Sequence, residues 1–88
     1  LLRVHHVIEQ ESCRGPVPLR RLSAAAGRSP SAIQHAYREH FGNSISEAIK
    51  RRRIHQAGTI LAANEHLTIE HLATRCGYRS RSHFHRDF

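Results

Sequence analysis

One helical pattern occurs twice in this chain, and this internal repeat limits the folds that are open to it. The second copy follows the first at an offset of 50 residues, with one residue inserted in its turn. The aligned positions are 19–23 with 69–73, Gly27 with Gly77, Ser29 with Ser80, Ile33 with Phe84, and Tyr37 with Phe88. Such a repeat predicts two copies of one small helical unit that pack against shared neighbours.

Each copy has the pattern of a helix-turn-helix. A short helix is followed by a glycine, which supplies the left-handed conformation of a tight turn, and then by a serine that caps a second helix. The first helix braces the second, which exposes one face and turns its N-terminus towards phosphate. No segment alternates apolar and polar residues with a period of two, so the sequence predicts an all-α fold.

The remaining helical signals predict a single domain of residues 1–88 with the two motifs joined by a linker helix. Its expected parts are a first helix over about 1–12, a first helix-turn-helix over about 18–42, a linker helix over about 45–63 that starts at Ser44 or Ser46 and ends around Asn64, and a second helix-turn-helix over about 68–88. A linker helix of about 19 residues is about 28 Å long, close to the ~34 Å between successive major-groove segments on one side of B-DNA.

The charge balance points to a polyanionic partner. Lys and Arg number 14 against 7 Asp and Glu, which gives a formal net charge of +7 on 88 residues. A surface of this kind favours nucleic acid first and an anionic membrane second.

Length and residue usage exclude several classes of protein. A chain of 88 residues makes one small domain and not a large catalytic one. No apolar run approaches the ~18–20 residues of a membrane span, and the residues after Leu1 lack the pattern of a signal peptide. Cys13 and Cys76 do not make a disulfide framework, so we expect a reducing, cytoplasmic location.

Specific positions in both copies and in the linker helix match a known family. The second copy carries the more specific motif, which is Ile69-Glu70-His71-Leu72-Ala73, Gly77-Tyr78, Ser80, Ser82, Phe84, Arg86 and Phe88. The first copy and the linker helix match more loosely, through Leu22, Gly27, Ser29, Ile33, Tyr37, Gly42, Arg52, Arg53, Ile54 and Leu61. Over essentially its whole length, the chain resembles the DNA-binding domain of AraC/XylS-type transcription activators.

This resemblance implies sequence-specific binding of double-stranded DNA, with two recognition helices in successive major-groove segments, and contact with RNA polymerase. It also implies an effector or dimerisation domain elsewhere in the full-length protein. Ser23 and Gly58 stand where the family usually has alanine, and Gly58 should weaken the linker helix by roughly 1 kcal/mol. The family pattern continues past Phe88, so the resemblance implies a second motif that is incomplete at its C-terminus.

The outward positions near the start of each second helix are the candidate base contacts. They are Ser31, Gln34 and His35 in the first copy, and Arg81, Ser82, His85 and Arg86 in the second. Gln can pair bidentately with adenine, and Arg with N7 and O6 of guanine. Candidate phosphate contacts flank these helices or lie in the basic run 50–53, and they are Arg28, Ser29, Arg79, Ser80 and Arg52.

Metal binding and catalysis have little support in the sequence. The chain has nine histidines, but His83 and His85 fall on different sides of a helix, and neither cysteine has a partner at the spacing of a zinc site. No orienting group or oxyanion turn accompanies a Cys–His pair. We therefore expect no metal, no cofactor and no enzyme activity, and we expect Cys76 to be a small buried apolar residue.

Two alternative functions stay open at this stage. DNA-repair methyltransferases that resemble Ada carry a similar DNA-binding domain beside a catalytic one, and only the flanking sequence separates that alternative. A basic helical module that binds protein or membrane is the other alternative. It predicts a broad basic amphipathic surface without paired turn motifs, and the duplicated Gly–Ser turn argues against it.

Overall fold

The computed structural model describes residues 1–63 and 66–87, and these residues form six helices. In chain order the helices are α1 (Leu2–Glu11), α2 (Leu19–Ala26), α3 (Pro30–Phe41), α4 (Ile45–Ala63), α5 (Ile69–Arg75) and α6 (Arg81–Asp87). No strand occurs in 1–63 or 66–87. The predicted all-α fold, with two helix-turn-helix motifs joined by a long helix, is confirmed. The predicted helix end at Asn64 and Phe88, which the repeat aligns with Tyr37, lie outside the described residues.

The helix ends follow the local signals in the sequence. Ser29, Ser44 and Thr68 each accept a hydrogen bond from the backbone N–H three residues further on, so each is an N-cap. For α4, the structure therefore selects Ser44 over Ser46. Gly27 and Gly42 end α2 and α3 in the left-handed region, with φ of 66° and 79°.

The buried apolar side chains form two clusters, which divide the protein into two lobes. The first lobe contains α1, α2, α3 and the start of α4, around Val4, Val7, Ile8, Leu22, Ile33, Tyr37 and Ile45. The second lobe contains the end of α4 with α5 and α6, around Ala57, Ile60, Leu72, Ala73, Cys76, Tyr78 and Phe84. The predicted burial of Cys76 is confirmed, because its side chain is 0% exposed.

The long helix α4 contributes to both lobes and presents a different face to each. Ile45 is buried in the first cluster, whereas Ala57 and Ile60 are buried in the second. Leu61, one of the apolar positions expected along the linker helix, is 38% exposed. The protein extends 42 Å along its longest axis and 20 Å across it. This elongated shape is what two lobes spaced along one helix produce.

Candidate nucleic-acid interface

The turn of the first motif leaves a capped helix N-terminus at the surface. Gly27 ends α2, and Ser29 then caps α3 by accepting a hydrogen bond from the Ala32 N–H at 3.2 Å. Pro30 occupies the first helical position, where its missing N–H is not needed. Arg28 and Ser29 are both exposed beside this N-terminus. Unpaired N–H groups and the helix dipole favour an anion at such a place.

The turn of the second motif is longer than that of the first, and it packs against the rest of the protein. Gly77 has a φ of 94°, and a Cβ atom there would overlap the carbonyl oxygen of Ser12. Ser80 caps α6, since its Oγ accepts from the His83 N–H at 3.3 Å. The same Oγ lies 2.7 Å from Nδ1 of His83, which holds the imidazole beside the cap. Arg79 and Ser80 are exposed, like their counterparts in the first motif.

The outward face of α3 carries the three side chains that the sequence assigns to base contact. Ile33 and Tyr37 are buried in the first cluster, so the opposite side of the helix faces outwards. Ser31, Gln34 and His35 are all exposed there.

Gln34 and His35, on that outward face, each lie beside another side chain of α3. Gln34 lines an open cleft of about 390 Å³ between α2, α3 and the start of α4, together with Arg38. Nε2 of His35 lies 3.4 Å from the carboxylate of Glu39, one turn further along. Both side chains of this pair are largely exposed, so the pair is weak in water and both partners can turn towards a ligand.

The outward face of α6 is organised in the same way around one buried anchor. Phe84 is buried in the second cluster, and it stacks edge-on against Tyr78 at 5.5 Å between ring centroids. Ser82, His85 and Arg86 are exposed on the other side. The side chain of Arg86 is 71% exposed, and its Nε lies 3.9 Å from the carboxylate of Asp87.

Arg81, at the start of α6, is held by two neighbours. Its Nη1 lies 3.4 Å from Oε1 of Glu70 on α5, and its Nε donates to Nε2 of His85 at 3.4 Å. Arg81 remains largely exposed. The carboxylate of Glu70 therefore positions this guanidinium without burying it.

Arg52, the expected phosphate contact in the linker helix, is engaged with α1. Its Nε donates to the carbonyl oxygen of Glu9 at 3.2 Å and lies 3.5 Å from the Glu9 carboxylate, while Nη1 donates to Gln56. Only 26% of the side chain is exposed. This guanidinium joins α4 to α1, so contact of Arg52 with a phosphate would compete with that link and stays a prediction.

Two residues at this surface contact the predicted base and phosphate contacts but were not predicted from the sequence to do so. Glu70 meets Arg81 across two helices, at a separation of 11 residues, and no local signal predicts that contact. His83 pairs with the Ser80 cap three residues earlier. The spacing of a cap and its third helical residue is a signal that could have identified His83.

Basic side chains also line a cleft of about 340 Å³ where the two lobes meet. The cleft lies between the segment before α2, the first half of α4, the turn before α6 and α6 itself. Its basic side chains are Arg53, Arg79, His83 and Arg86, and the carboxylate of Asp87 lines it as well.

The two cysteine thiols lie away from this surface, Cys13 half-buried and Cys76 buried. Burial raises the pKa of the Cys76 thiol, and burial also raises that of Cys13, so both thiols stay protonated at neutral pH. Within 1–63 and 66–87, no three His, Cys, Asp or Glu side chains are grouped as metal ligands. No helix in those ranges is long and apolar enough to cross a membrane.

Comparison with known proteins relates this geometry to a family. A family model described as a helix-turn-helix domain matches residues 22–88. Among solved structures, a probable AraC family transcriptional regulator from Rhodopseudomonas palustris is 31% identical with a TM-score of 0.81, over 98% of this chain and 80% of that one. A DNA-binding transcriptional dual regulator from Escherichia coli is 28% identical with a TM-score of 0.78, over 98% of this chain and 75% of that one.

A further solved structure is alike in fold. It is the C-terminal domain of the two-component response regulator yesN from Fusobacterium nucleatum, which has a TM-score of 0.88 at 19% identity, over 97% of this chain and 87% of that one. No curated protein matches the sequence at a significant level.

Two helix-turn-helix motifs on one linker helix, each with an exposed basic turn, define a double helix-turn-helix DNA-binding domain. The chain belongs to the AraC family of transcriptional regulators, of which it forms a DNA-binding domain.

Proposed function

We propose that this domain binds specific sites on double-stranded DNA with α3 and α6 as its two recognition helices, each in one of two successive major-groove segments. One observation carries the proposal. Both helices have a capped, exposed N-terminus and an outward face of polar and basic side chains, while the opposite face is anchored in its own apolar cluster. The linker helix between them is about 28 Å long, and this length supports a separation near the ~34 Å repeat of B-DNA.

The side chains divide into two roles in this proposal. Base contacts come from the outward faces, where Gln34 suits adenine and Arg86 suits guanine. The other proposed base contacts are Ser31, His35, Arg81, Ser82 and His85. Phosphate contacts come from the turns that precede the two helices, through Arg28, Ser29, Arg79 and Ser80.

The role that we propose for this binding is transcriptional control. Two solved relatives that exceed 25% identity are a probable AraC family transcriptional regulator and a transcriptional dual regulator. By this analogy, the bound domain contacts RNA polymerase, and an effector or dimerisation domain is provided elsewhere in the full-length protein.

Selection from a random duplex library, followed by titration at several salt concentrations, tests the binding mode. With about six to eight phosphates neutralised, log K should fall against log salt with a slope of roughly −5 to −7. Selected and random duplexes should share this slope, with a gap of about 4 kcal/mol or more between their binding free energies. Equal affinity for all duplexes at physiological salt would contradict site-specific recognition.

A matched pair of variants separates base contact from phosphate contact. Arg86→Ala should weaken binding to the selected site by about 1–3 kcal/mol and relax the preference at one base pair. Arg79→Ala removes the same charge from the turn, and it should weaken all duplexes about equally. An unchanged base preference in the Arg86 variant would remove this residue from the base contacts.

A further inference from the structure

The relative orientation of the two lobes depends on a small junction. Among the described residues, the two apolar clusters share no buried side chain. Between them, the segment 50–56 of α4 carries mostly charged and polar side chains. A helix fixes the distance between the lobes along its axis, but contacts at this polar segment must fix how each lobe is turned about it.

Arg53 is the side chain at this segment that holds the first lobe. Its Nε donates to the carbonyl oxygen of Ser12 at 2.8 Å, and its Nη2 donates to the carbonyl oxygen of Gly15 at 2.8 Å. Both carbonyls lie in the turn that follows α1. The two forked donors of one guanidinium therefore fix this turn against the middle of α4.

The same guanidinium holds the second lobe. Its central carbon lies 5.1 Å from the ring centroid of Tyr78, within the range of a cation–π interaction. The Tyr78 hydroxyl donates to Oδ2 of Asp87, the last residue of α6, at 3.0 Å. Burial and this hydrogen bond raise the pKa of Tyr78 to about 12, so the phenol remains a donor at neutral pH. Arg53 therefore contacts both lobes.

The backbones of the two lobes also touch beside Arg53. A Cβ atom at Gly77 would overlap the Ser12 carbonyl oxygen and lie 3.0 Å from Cα of Cys13. The turn after α1 therefore packs directly on the turn before α6. With this close approach, the Arg53 contacts leave little room for one lobe to rotate relative to the other.

We propose that Arg53 is a positioning residue that locks the two lobes in one orientation and so sets the base-pair spacing between the two DNA segments that the domain recognises. This inference rests on the proposed function and deepens it. Two binding elements on a rigid connection reinforce each other most strongly at the spacing that matches it, and loosening the connection weakens that reinforcement.

The test compares Arg53→Met with Arg51→Met in the 88-residue chain. Arg51 is exposed on the same helix, so its variant removes the same charge but leaves the contacts of Arg53 in place. Each protein is titrated with the selected duplex, with duplexes in which either recognised segment is scrambled, and with duplexes that carry one or two extra base pairs between the segments. One extra base pair rotates the segments by roughly 35° about the DNA axis.

We expect Arg53→Met to bind the selected duplex about tenfold more weakly than Arg51→Met, while the two variants bind each single-segment duplex equally at low salt. The preference for the native spacing over the one-base-pair insertion should shrink in Arg53→Met alone. A spacing preference equal to that of Arg51→Met overturns the proposal, and so does a wild-type protein without any spacing preference.

Two further measurements keep the outcomes distinct. If circular dichroism shows that Arg53→Met is unfolded, Arg53→Lys replaces it, because lysine keeps the charge but cannot span both carbonyls. It must show the same direction of change or the proposal fails. Failure of the wild-type protein to select any two-segment site counts against the proposed function, and that result precedes every variant.

Discussion

Gly77 and Gly27 occupy equivalent positions in the two motifs, yet they meet different surroundings. Both have positive φ angles, of 94° and 66°. A Cβ atom at Gly27 would meet nothing within 4 Å, whereas one at Gly77 would overlap a carbonyl of the turn after α1. Gly27 is thus required only for its backbone conformation, and Gly77 is required also for its lack of a side chain.

We expect alanine substitutions at the two glycines to lower the free energy of unfolding by different amounts. Gly27→Ala should lower the free energy of unfolding by about 1–2 kcal/mol, which is the strain of a left-handed alanine. Gly77→Ala should lower it by about 3 kcal/mol or more, because the turn after α1 must also move. Urea denaturation of both variants measures the difference. Equal losses would mean that the two turns do not pack closely.

The raised pKa of Tyr78 predicts that the folded protein loses stability at high pH. Its pKa is raised to about 12, first by burial and then by the hydrogen bond to Asp87. Between pH about 10 and about 12, the unfolded chain releases the phenol proton and the folded chain keeps it. The free energy of unfolding therefore falls across this range, by roughly 3 kcal/mol from this group.

Urea midpoints measured across that pH range test the effect of Tyr78. Tyr78→Phe should remove much of the decline. Tyr37→Phe is the control, since burial also raises the pKa of Tyr37 but without a carboxylate hydrogen bond. A decline that is unchanged in Tyr78→Phe would show that this phenol titrates normally.

Ser23 shows how a departure from the usual family residue can be accommodated. It lies in α2, where alanine is usual in the family. Its hydroxyl donates to the backbone carbonyl of Arg28 in the following turn. The half-buried site therefore provides a partner for the added polar atom.

At the scale of single elements, α4 joins the two lobes, and it contains a glycine, which is a poor helix former. Its two ends are anchored in different clusters, and Arg52 and Arg53 tie its middle to the first lobe. Gly58 lies within the same helix and is exposed, and a Cβ atom there would meet nothing within 4 Å. No close contact explains a glycine at this position.

Gly58→Ala should therefore stabilise the domain. Alanine has the higher helix propensity and restricts the unfolded chain, which raises the free energy of unfolding by about 0.5–1 kcal/mol. Thermal denaturation should show an increase in Tm of about 2–8 °C. DNA affinity serves as the control and should not change. A lower Tm would show that α4 needs the flexibility of glycine.

At the scale of the whole molecule, the two separate apolar clusters predict that each lobe opens independently of the other. Each lobe has its own core, and the polar junction connects them. Local opening of one lobe then leaves most buried contacts of the other intact.

A matched pair of core variants tests this independence. Ile33→Val shortens a buried side chain in the first cluster, and Ile60→Val does the same in the second. Each should lower stability by about 0.5–1.5 kcal/mol. Native-state hydrogen exchange should accelerate mainly in α2 and α3 for the first variant, and mainly in α5 and α6 for the second. Uniform acceleration in both would indicate a single cooperative unit.

The sequence by itself determined the helices, most of their ends and the duplicated motif. These features depend on residues that are near one another in the chain, such as the Ser29 cap, the Gly27 turn and the apolar spacing that buries Ile33. The exposure of the outward positions on α3 and α6 follows from the same periodicity, because burying one side of a helix exposes the other.

Only the tertiary structure decided what the exposed and half-exposed charges do. Arg52 and Arg53 are neighbours in one basic run, yet Arg52 binds Glu9 and Arg53 joins the turn after α1 to Tyr78. Glu70 likewise meets Arg81 from another helix. Successive residues on a helix point about 100° apart, so adjacent arginines meet different parts of the protein. Those parts lie tens of residues away in the chain, and only the packing of the helices brings them within reach.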